Sequence, residues 1–159
     1  MMRYKKVAVG GTFDELHSGH KALLGRAFEV GERVVIGLTS DAFVARIRKP
    51  HRTALFADRC RGLEVYLAEQ RVLERVEIVA LNDPYGLTLL VRDIDALIVS
   101  VDTLGMGQLI NQKRRARGYS SLVLVVVDMV PAQNYGVIST TRIRRGEIDH
   151  SGRILSRVI

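Results

Sequence analysis

The chain of 159 residues has one cysteine, Cys60, no tryptophan and three prolines. A single cysteine cannot close an internal disulfide. That excludes a disulfide scaffold and a Cys-rich zinc site, and it fits a reducing compartment. Aromatic residues make up only 6%, too few for the interleaved stacking surface on which single-stranded nucleic acid is held. Long apolar runs are missing too. The longest, such as residues 122–127 (LVLVVV), fall far short of the roughly 20 residues that cross a bilayer. Residues 1–6 include basic side chains but no apolar stretch leading to a small-residue cleavage site, so no secretory signal is read. The expectation is a cytoplasmic chain with neither a membrane nor a nucleic-acid partner. Proline and glycine do not cluster as they would at a boundary, and no repeat or low-complexity linker is visible. Residues 1–159 are therefore expected to form a single domain. The oligomeric state is left open.

What is present suits a globular core. Hydrophobic residues make up 47% and charged residues 26%, with a mean hydropathy of +0.09, which rules out wholesale disorder. A chain of this size buries roughly 68–70% of its unfolded surface. Lysine and arginine number 24 against 17 acidic residues, a formal charge of +7. The excess favours anionic partners without choosing among nucleic acid, a phosphorylated small molecule and simple solubility. The densest cluster is Lys113-Arg114-Arg115-Ala116-Arg117. On a helix its charges spread over more than one face. It reads as a solvated helix end whose cations suit the C-terminal dipole, rather than as an RNA patch.

Short β-branched runs alternate with amphipathic stretches. Strands are expected at residues 4–10 (YKKVAVG), 33–39 (RVVIGLT), 75–80 (RVEIVA), 96–101 (ALIVSV) and 122–128 (LVLVVVD). Nearly continuous Val, Ile and Leu are what strands covered on both faces require. Helices are expected between them. Residues 21–30 carry Leu23, Leu24, Ala27 and Phe28 on one stripe, and Gly31 can end the helix. Ser40 or Asp41 can cap residues 42–47. Residues 56–70 align Phe56, Cys60, Leu63 and Leu67, which makes Cys60 an ordinary core residue. Asp83 before Pro84 reads as an N-cap followed by proline at the first helical position. Residues 103–117 form a further helix stopped by Gly118, and Ser139 can cap a last short helix to Gly146. Such alternation means an α/β, doubly wound, five-stranded parallel sheet with right-handed crossovers. In such sheets the ligand sits beyond the carboxyl ends of the strands, where the winding reverses. The loops after strands one, four and five are therefore the places to look.

The first of these loops reads Gly10-Gly11-Thr12-Phe13-Asp14-Glu15-Leu16-His17-Ser18-Gly19-His20. Glycine allows close approach of a ligand to the backbone, and Thr12 adds a hydroxyl. His17 and His20 are three apart, so on the first turn of a helix they share a face. Gly19 leaves room between them. A helix N-terminus adds free N–H groups and partial positive charge. Taken singly, two glycines after a strand are a turn, and a histidine at a helix start is a cap. Their conjunction at the end of the first strand points to phosphate chemistry. No G-x-x-x-x-G-K-[ST] and no G-x-G-x-x-G occurs, which disfavours a Walker loop and a nicotinamide cofactor. A zinc site on the two histidines lacks a third ligand. A second anion site is suggested by Ile138-Ser139-Thr140-Thr141-Arg142-Ile143-Arg144, whose hydroxyls open a helix and whose arginines add charge.

The GGTFD element, the His17-x-Gly19-His20 motif and the Ile138-Ser139-Thr140-Thr141…Arg144 segment resemble the HxGH nucleotidyltransferase superfamily. Within it the chain is similar to the archaeal and eukaryotic branch of the phosphopantetheine adenylyltransferases, over about residues 4–149. Asn82-Asp83-Pro84-Tyr85-Gly86 and Ile110-Asn111-Gln112-Lys113-Arg114 point to this branch. The resemblance implies a Rossmann-like nucleotidyltransferase fold and transfer of AMP from ATP to 4′-phosphopantetheine, with magnesium held mainly by the ATP phosphates. It implies that His20 contacts the α-phosphate and that His17 and the Gly19 backbone hold neighbouring oxygens. Gly11 and Phe13 belong to the same nucleotide loop, and Thr12 orients the acceptor phosphate. Ile138, Ser139, Thr140, Thr141 and Arg144 would hold the β- and γ-phosphates, with Tyr135 approaching the nucleotide. Lys49, with Arg48 as its rival, matches a basic residue that holds the acceptor phosphate in bacterial relatives. Asn111 matches a helix asparagine near the acceptor, and Pro84 and Tyr85 fall where the pantetheine arm would lie. The bacterial Arg-Gly-Leu-Arg turn after strand four is replaced by Val99-Ser100-Val101-Asp102-Thr103. His51 and His150 read as surface residues. Two other readings stay open: the same superfamily with another acceptor (a cytidylyltransferase, FAD synthetase or nicotinamide-nucleotide adenylyltransferase), and a non-catalytic nucleotide- or RNA-binding module.

Overall fold

In a computed structural model, residues 3–47 and 52–128 are described. Among the described residues five strands and five α-helices follow in the order β1 (Tyr4–Gly11), α1 (Ser18–Val30), β2 (Gly31–Thr39), α2 (Asp41–Ile47), α3 (Phe56–Glu69), β3 (Val76–Leu81), α4 (Gly86–Leu90), β4 (Ala96–Ser100), α5 (Leu104–Ala116) and β5 (Val123–Val127). The strands are hydrogen-bonded in the order β3-β2-β1-β4-β5, every pair parallel. The winding reverses between β1 and β4, and that switch point brings the loop after β1 to the place where such sheets bind ligands. The helix expected from Ser139 lies outside the described residues.

The pleat sorts each strand's side chains onto two cores. Val7 and Val9 of β1, Val34, Ile36 and Leu38 of β2, and Ala96 and Ile98 of β4 pack with Leu24 of α1 and with Leu63 and Leu67 of α3. Ala8, Val35, Leu97 and Val99 alternate with them and pack on the other face with Ile110 of α5 and with Ile94 and Leu122. Both faces are covered, which is why the strands read as unbroken apolar runs rather than as alternating ones. Among the described residues no helix is long and apolar enough to cross a membrane.

The element ends differ from the sequence expectation for local reasons. Gly31 does close α1, but in extended geometry (φ −115°, ψ 135°), and it starts β2 directly. A Cβ there would stand 2.6 Å from Val7 Cγ2, so glycine is needed for close approach and not for a left-handed turn. Ser40 caps α2 by accepting from the Phe43 N–H (3.1 Å). Asp83 accepts from the Tyr85 N–H (2.8 Å), so Pro84 and Tyr85 form a turn and α4 begins only at Gly86. β4 ends at Ser100 because its N–H donates to Thr103 Oγ1 (2.9 Å), bending the chain into a single 3₁₀ turn, Val101–Thr103. Gly118, at φ +78°, stops α5 as expected.

The basic run at the end of α5 departs most from expectation. Arg114 is fully buried. Its guanidinium donates to the carbonyls of Ser120 (2.8 Å), Thr88, Val91 (3.3 Å) and Arg92 (3.0 Å). Burial holds its pKa below the ordinary arginine value. The acceptors around the end of α4 include carbonyls left over by the helix, and a buried cation satisfies them where water cannot reach. Arg75 does the same for α1, donating to the carbonyls of Phe28 (2.9 Å), Gly31 (2.7 Å) and Glu32 (3.0 Å). Cys60 is half-buried against the first core. Burial, followed by its Sγ–H bond to Glu64 (3.1 Å), pushes the thiol up to about 11.

Candidate active site

β1 delivers the chain to the switch point at Gly10-Gly11, and α1 takes it up at Ser18. His17 is the N-cap of α1, in extended geometry (φ −127°, ψ 177°). Its Nδ1 accepts from the backbone N–H of Gly19 (3.1 Å) and of His20 (3.4 Å). A ring nitrogen that accepts two amide hydrogens carries no proton, so the neutral imidazole has its proton on Nε2. The ring is buried (3% exposed). It stacks on His20, with centroids 3.8 Å apart and planes 19° from parallel. Phe13 also packs on His20, its ring centroid 5.2 Å away and tilted. The two histidines do share a face as expected, although His17 stands one position before the helix. The Gly19 N–H, expected to hold a phosphate oxygen, is engaged by His17 here.

The loop between strand and helix is tightly tied. Phe13 and Glu15 both have positive φ (49° and 51°), a conformation that side chains disfavour. Asp14 is buried, and its Oδ1 accepts from the Ala54 N–H at 3.4 Å. The Thr12 carbonyl accepts from Arg59 Nη1 at 2.9 Å. Arg59 and Asp14 were not singled out from the sequence.

Beside this loop, at the carboxyl ends of the strands, lies a cavity of about 190 Å³ whose walls include Gly11, Thr39, Phe43, Pro84, Val99 and Met106. Its lining is largely apolar, with Leu81, Leu97 and Ile110 beside Gly10 and Gly11 at the start of the histidine loop. Pro84 is one of the residues that line it. Tyr85 is half-buried beside it, packed on the second core with Lys113 Nζ 4.6 Å from its ring centroid. Asn111 has a different task from the one expected. Its Oδ1 accepts from the Leu122 N–H (2.6 Å) and its Nδ2 donates to the Leu122 carbonyl (2.9 Å). The buried carboxamide acts as a surrogate strand edge that fixes the entry to β5. Lys49, Tyr135, Ile138, Ser139, Thr140, Thr141 and Arg144 lie outside the described residues, as do Arg48, His51 and His150. Among the described residues no group of three or more His, Cys, Asp or Glu side chains is placed to hold a metal ion.

The cytidylyltransferase-like family model aligns with residues 8–146, and the chain belongs to that family of nucleotidyltransferases. Its relatives narrow the class. The chain is 44% identical to a phosphopantetheine adenylyltransferase of Methanothermobacter thermautotrophicus, across 98% of this chain and 93% of the relative. It is also 44% identical to one of Methanopyrus kandleri, across 94% of each. The crystal structure of a protein of unknown function from Archaeoglobus fulgidus superposes with a TM-score of 0.69 at 40% identity, covering 84% of this chain and 99% of that one. Within the nucleotidyltransferases, the chain belongs to the phosphopantetheine adenylyltransferase family.

Proposed function

We infer that the chain transfers AMP from ATP to 4′-phosphopantetheine, giving dephospho-coenzyme A and pyrophosphate, as a single domain over residues 1–159. The observation that carries this reading is the stacked His17–His20 pair at the start of α1, opening beside an apolar slot at the sheet's switch point. An oxygen of the acceptor phosphate attacks the α-phosphorus of ATP in line. The bond from that phosphorus to the bridging oxygen breaks, and pyrophosphate leaves. The nucleophile is already an anion, so no base has to remove a proton and no covalent enzyme intermediate is needed. The obstacle is electrostatic, because two anions meet and charge gathers on the α-phosphate oxygens. Donors fixed before the reaction lower that barrier.

His20 is assigned to the α-phosphate. The Nε2–H of His17 is assigned to a neighbouring oxygen, with Gly19 leaving the space between. Because Nδ1 of His17 gathers two helix N-terminal amides, it passes their polarisation on to Nε2. Thr12 orients the acceptor phosphate and Lys49 balances its charge, while Pro84 and Tyr85 flank the pantetheine arm. Ser139, Thr140, Thr141 and Arg144 are assigned to the β- and γ-phosphates, with Tyr135 and Ile138 near the nucleotide. The donors at the first loop are imidazoles, a hydroxyl and amides, a set that suits phosphate oxygens better than a hard cation. Magnesium therefore fits as an ion carried on the triphosphate, where it would neutralise charge. This chemistry belongs to the cytoplasm and calls for neither nucleic acid nor membrane.

The test is a panel in which purified protein meets ATP or CTP with each of 4′-phosphopantetheine, glycerol phosphate, FMN and nicotinamide mononucleotide. Pyrophosphate release is expected with ATP and 4′-phosphopantetheine. A preference for CTP or for another acceptor would overturn the assignment.

A further inference from the structure

Arg59 lies on the stripe of α3 that faces the first core, between Phe56 and Leu63, and is 3% exposed. It is a cation on an apolar face, and its hydrogen bonds explain why. Nε donates to the Ala54 carbonyl (2.8 Å), and Nη1 to the Thr12 carbonyl (2.9 Å) and to Thr39 Oγ1 (3.2 Å). Nη2 pairs with Asp41 Oδ1 (3.2 Å). One planar group thus joins the loop after β1, the last residue of β2, the first residue of α2 and the approach to α3. Asp41 Oδ1 also accepts the Phe56 N–H (2.7 Å), which ties the first residue of α2 to the first residue of α3.

The loop needs such a tie. Phe13 follows the clamped Thr12 carbonyl directly and holds φ +49°, and Glu15 holds φ +51°. Residues in that region persist only where their surroundings over-determine them. The Arg59–Thr12 bond fixes the peptide plane entering Phe13, and the Ala54–Asp14 bond fixes the next residue. Phe13 in turn packs on His20. We propose that Arg59 is a positioning residue for adenylyl transfer: through the Thr12 carbonyl it sets the conformation of the GGTFD loop, and so the placement of Thr12 and His20 on the reacting phosphates. This assignment rests on the phosphate role given above to that loop. A lysine cannot replace the arginine, because a single ammonium nitrogen cannot span four acceptors spread around a guanidinium fork.

The experiment compares wild type with R59K, R59A and D41N by steady-state kinetics for both substrates, thermal unfolding, and backbone amide NMR shifts of the free protein. R59K is expected to fold and to lose about 10²-fold in kcat, the scale of a displacement near 1 Å at a reacting centre. Its KM for ATP and for 4′-phosphopantetheine should stay within about threefold, since the binding groups remain. The Gly11 and Phe13 amide shifts should move. D41N removes only the ion pair and should cost less than about threefold in kcat. Guanidinium ion should restore part of the R59A rate, where methylammonium should not. R59K with kcat within about threefold of wild type would overturn the proposal. So would losses in R59K and R59A that match the fraction unfolded. An inactive wild type would count against the assigned reaction instead, and the Gly11 and Phe13 shifts in R59K would then decide the role of Arg59.

Discussion

His17 combines two tasks at the two nitrogens of one ring. Nδ1 caps α1, and Nε2 carries the proton assigned to a phosphate oxygen. The tasks can be separated by substitution. Asparagine is among the best N-cap residues, whereas replacing a cap by alanine costs about 1 kcal/mol. H17N is therefore expected to keep the wild-type urea midpoint, and H17A to lose about 1 kcal/mol of stability. Both should lose kcat by about 10²-fold or more, since each removes a donor aimed at developing charge. Unfolding curves set beside single-turnover rates check this. An H17N variant with near-wild-type turnover would reduce His17 to a cap. His20 is the counterpart: it sits inside the first turn with its ring in contact with those of both His17 and Phe13. Its stacking leaves the imidazole little rotational freedom, which is the preorganisation a donor to a transition state needs.

At the scale of elements, the same stripe logic explains what was legible and what was not. Strand periodicity and the apolar helix stripes placed all five strands and the covering helices, because burial on both faces leaves a direct mark on composition. The first loop was legible because glycines, a hydroxyl and two histidines coincide at a strand end. The ends of α4 and β4 were not, because they depend on single side-chain bonds, Asp83 to the Tyr85 N–H and Thr103 to the Ser100 N–H. The buried arginines left a mark that was there to be read. Arg59 shares a stripe with Leu63 and Leu67, and Arg114 with Gly107, Ile110 and Asn111. A cation three or four residues from a buried residue on the same helix stripe points to a carbonyl cluster beneath it. In α5 that signal was hidden by Lys113, Arg115 and Arg117, whose charges made the run look uniformly solvated. The consequence is testable. R114M matches much of the length and keeps the apolar packing, but it leaves the carbonyls of Ser120, Thr88, Val91 and Arg92 without this donor. It is expected to destabilise by about 3 kcal/mol, equivalent to roughly 6–12 °C in Tm for a chain of this size. R115M, at an exposed position, is expected to change Tm by less than about 2 °C. Equal effects from the two would mean that the internal hydrogen bonds of Arg114 contribute nothing beyond the loss of one positive charge.

Across the whole molecule, the formal charge of +7 has to be divided before it says anything about ligands. Arg59, Arg75 and Arg114 all donate to backbone carbonyls within the fold, so part of the excess holds the protein together. The concentrated feature is the switch point between β1 and β4, where the imidazole loop stands. A polyanion spread over the surface would gain little from that arrangement, whereas a compact triphosphate at the switch point would gain all of it. ATP with magnesium is therefore expected to stabilise the native state as a ligand bound only there. At a hundred times its Kd the gain is about 2.7 kcal/mol, or roughly 5–10 °C in Tm. Chelating the magnesium should shrink the shift, because the triphosphate then brings its full negative charge to the site. H20A should shrink it less than it reduces turnover, since His20 is assigned to charge that develops during the reaction rather than to ground-state binding. Differential scanning calorimetry with and without EDTA reads the three Tm shifts, and steady-state kinetics of H20A gives the turnover to set beside them. A Tm unmoved by saturating ATP, together with RNA binding that weakens steeply with salt and ignores ATP, would transfer the surface charge to a different partner and leave the histidine loop without its phosphate.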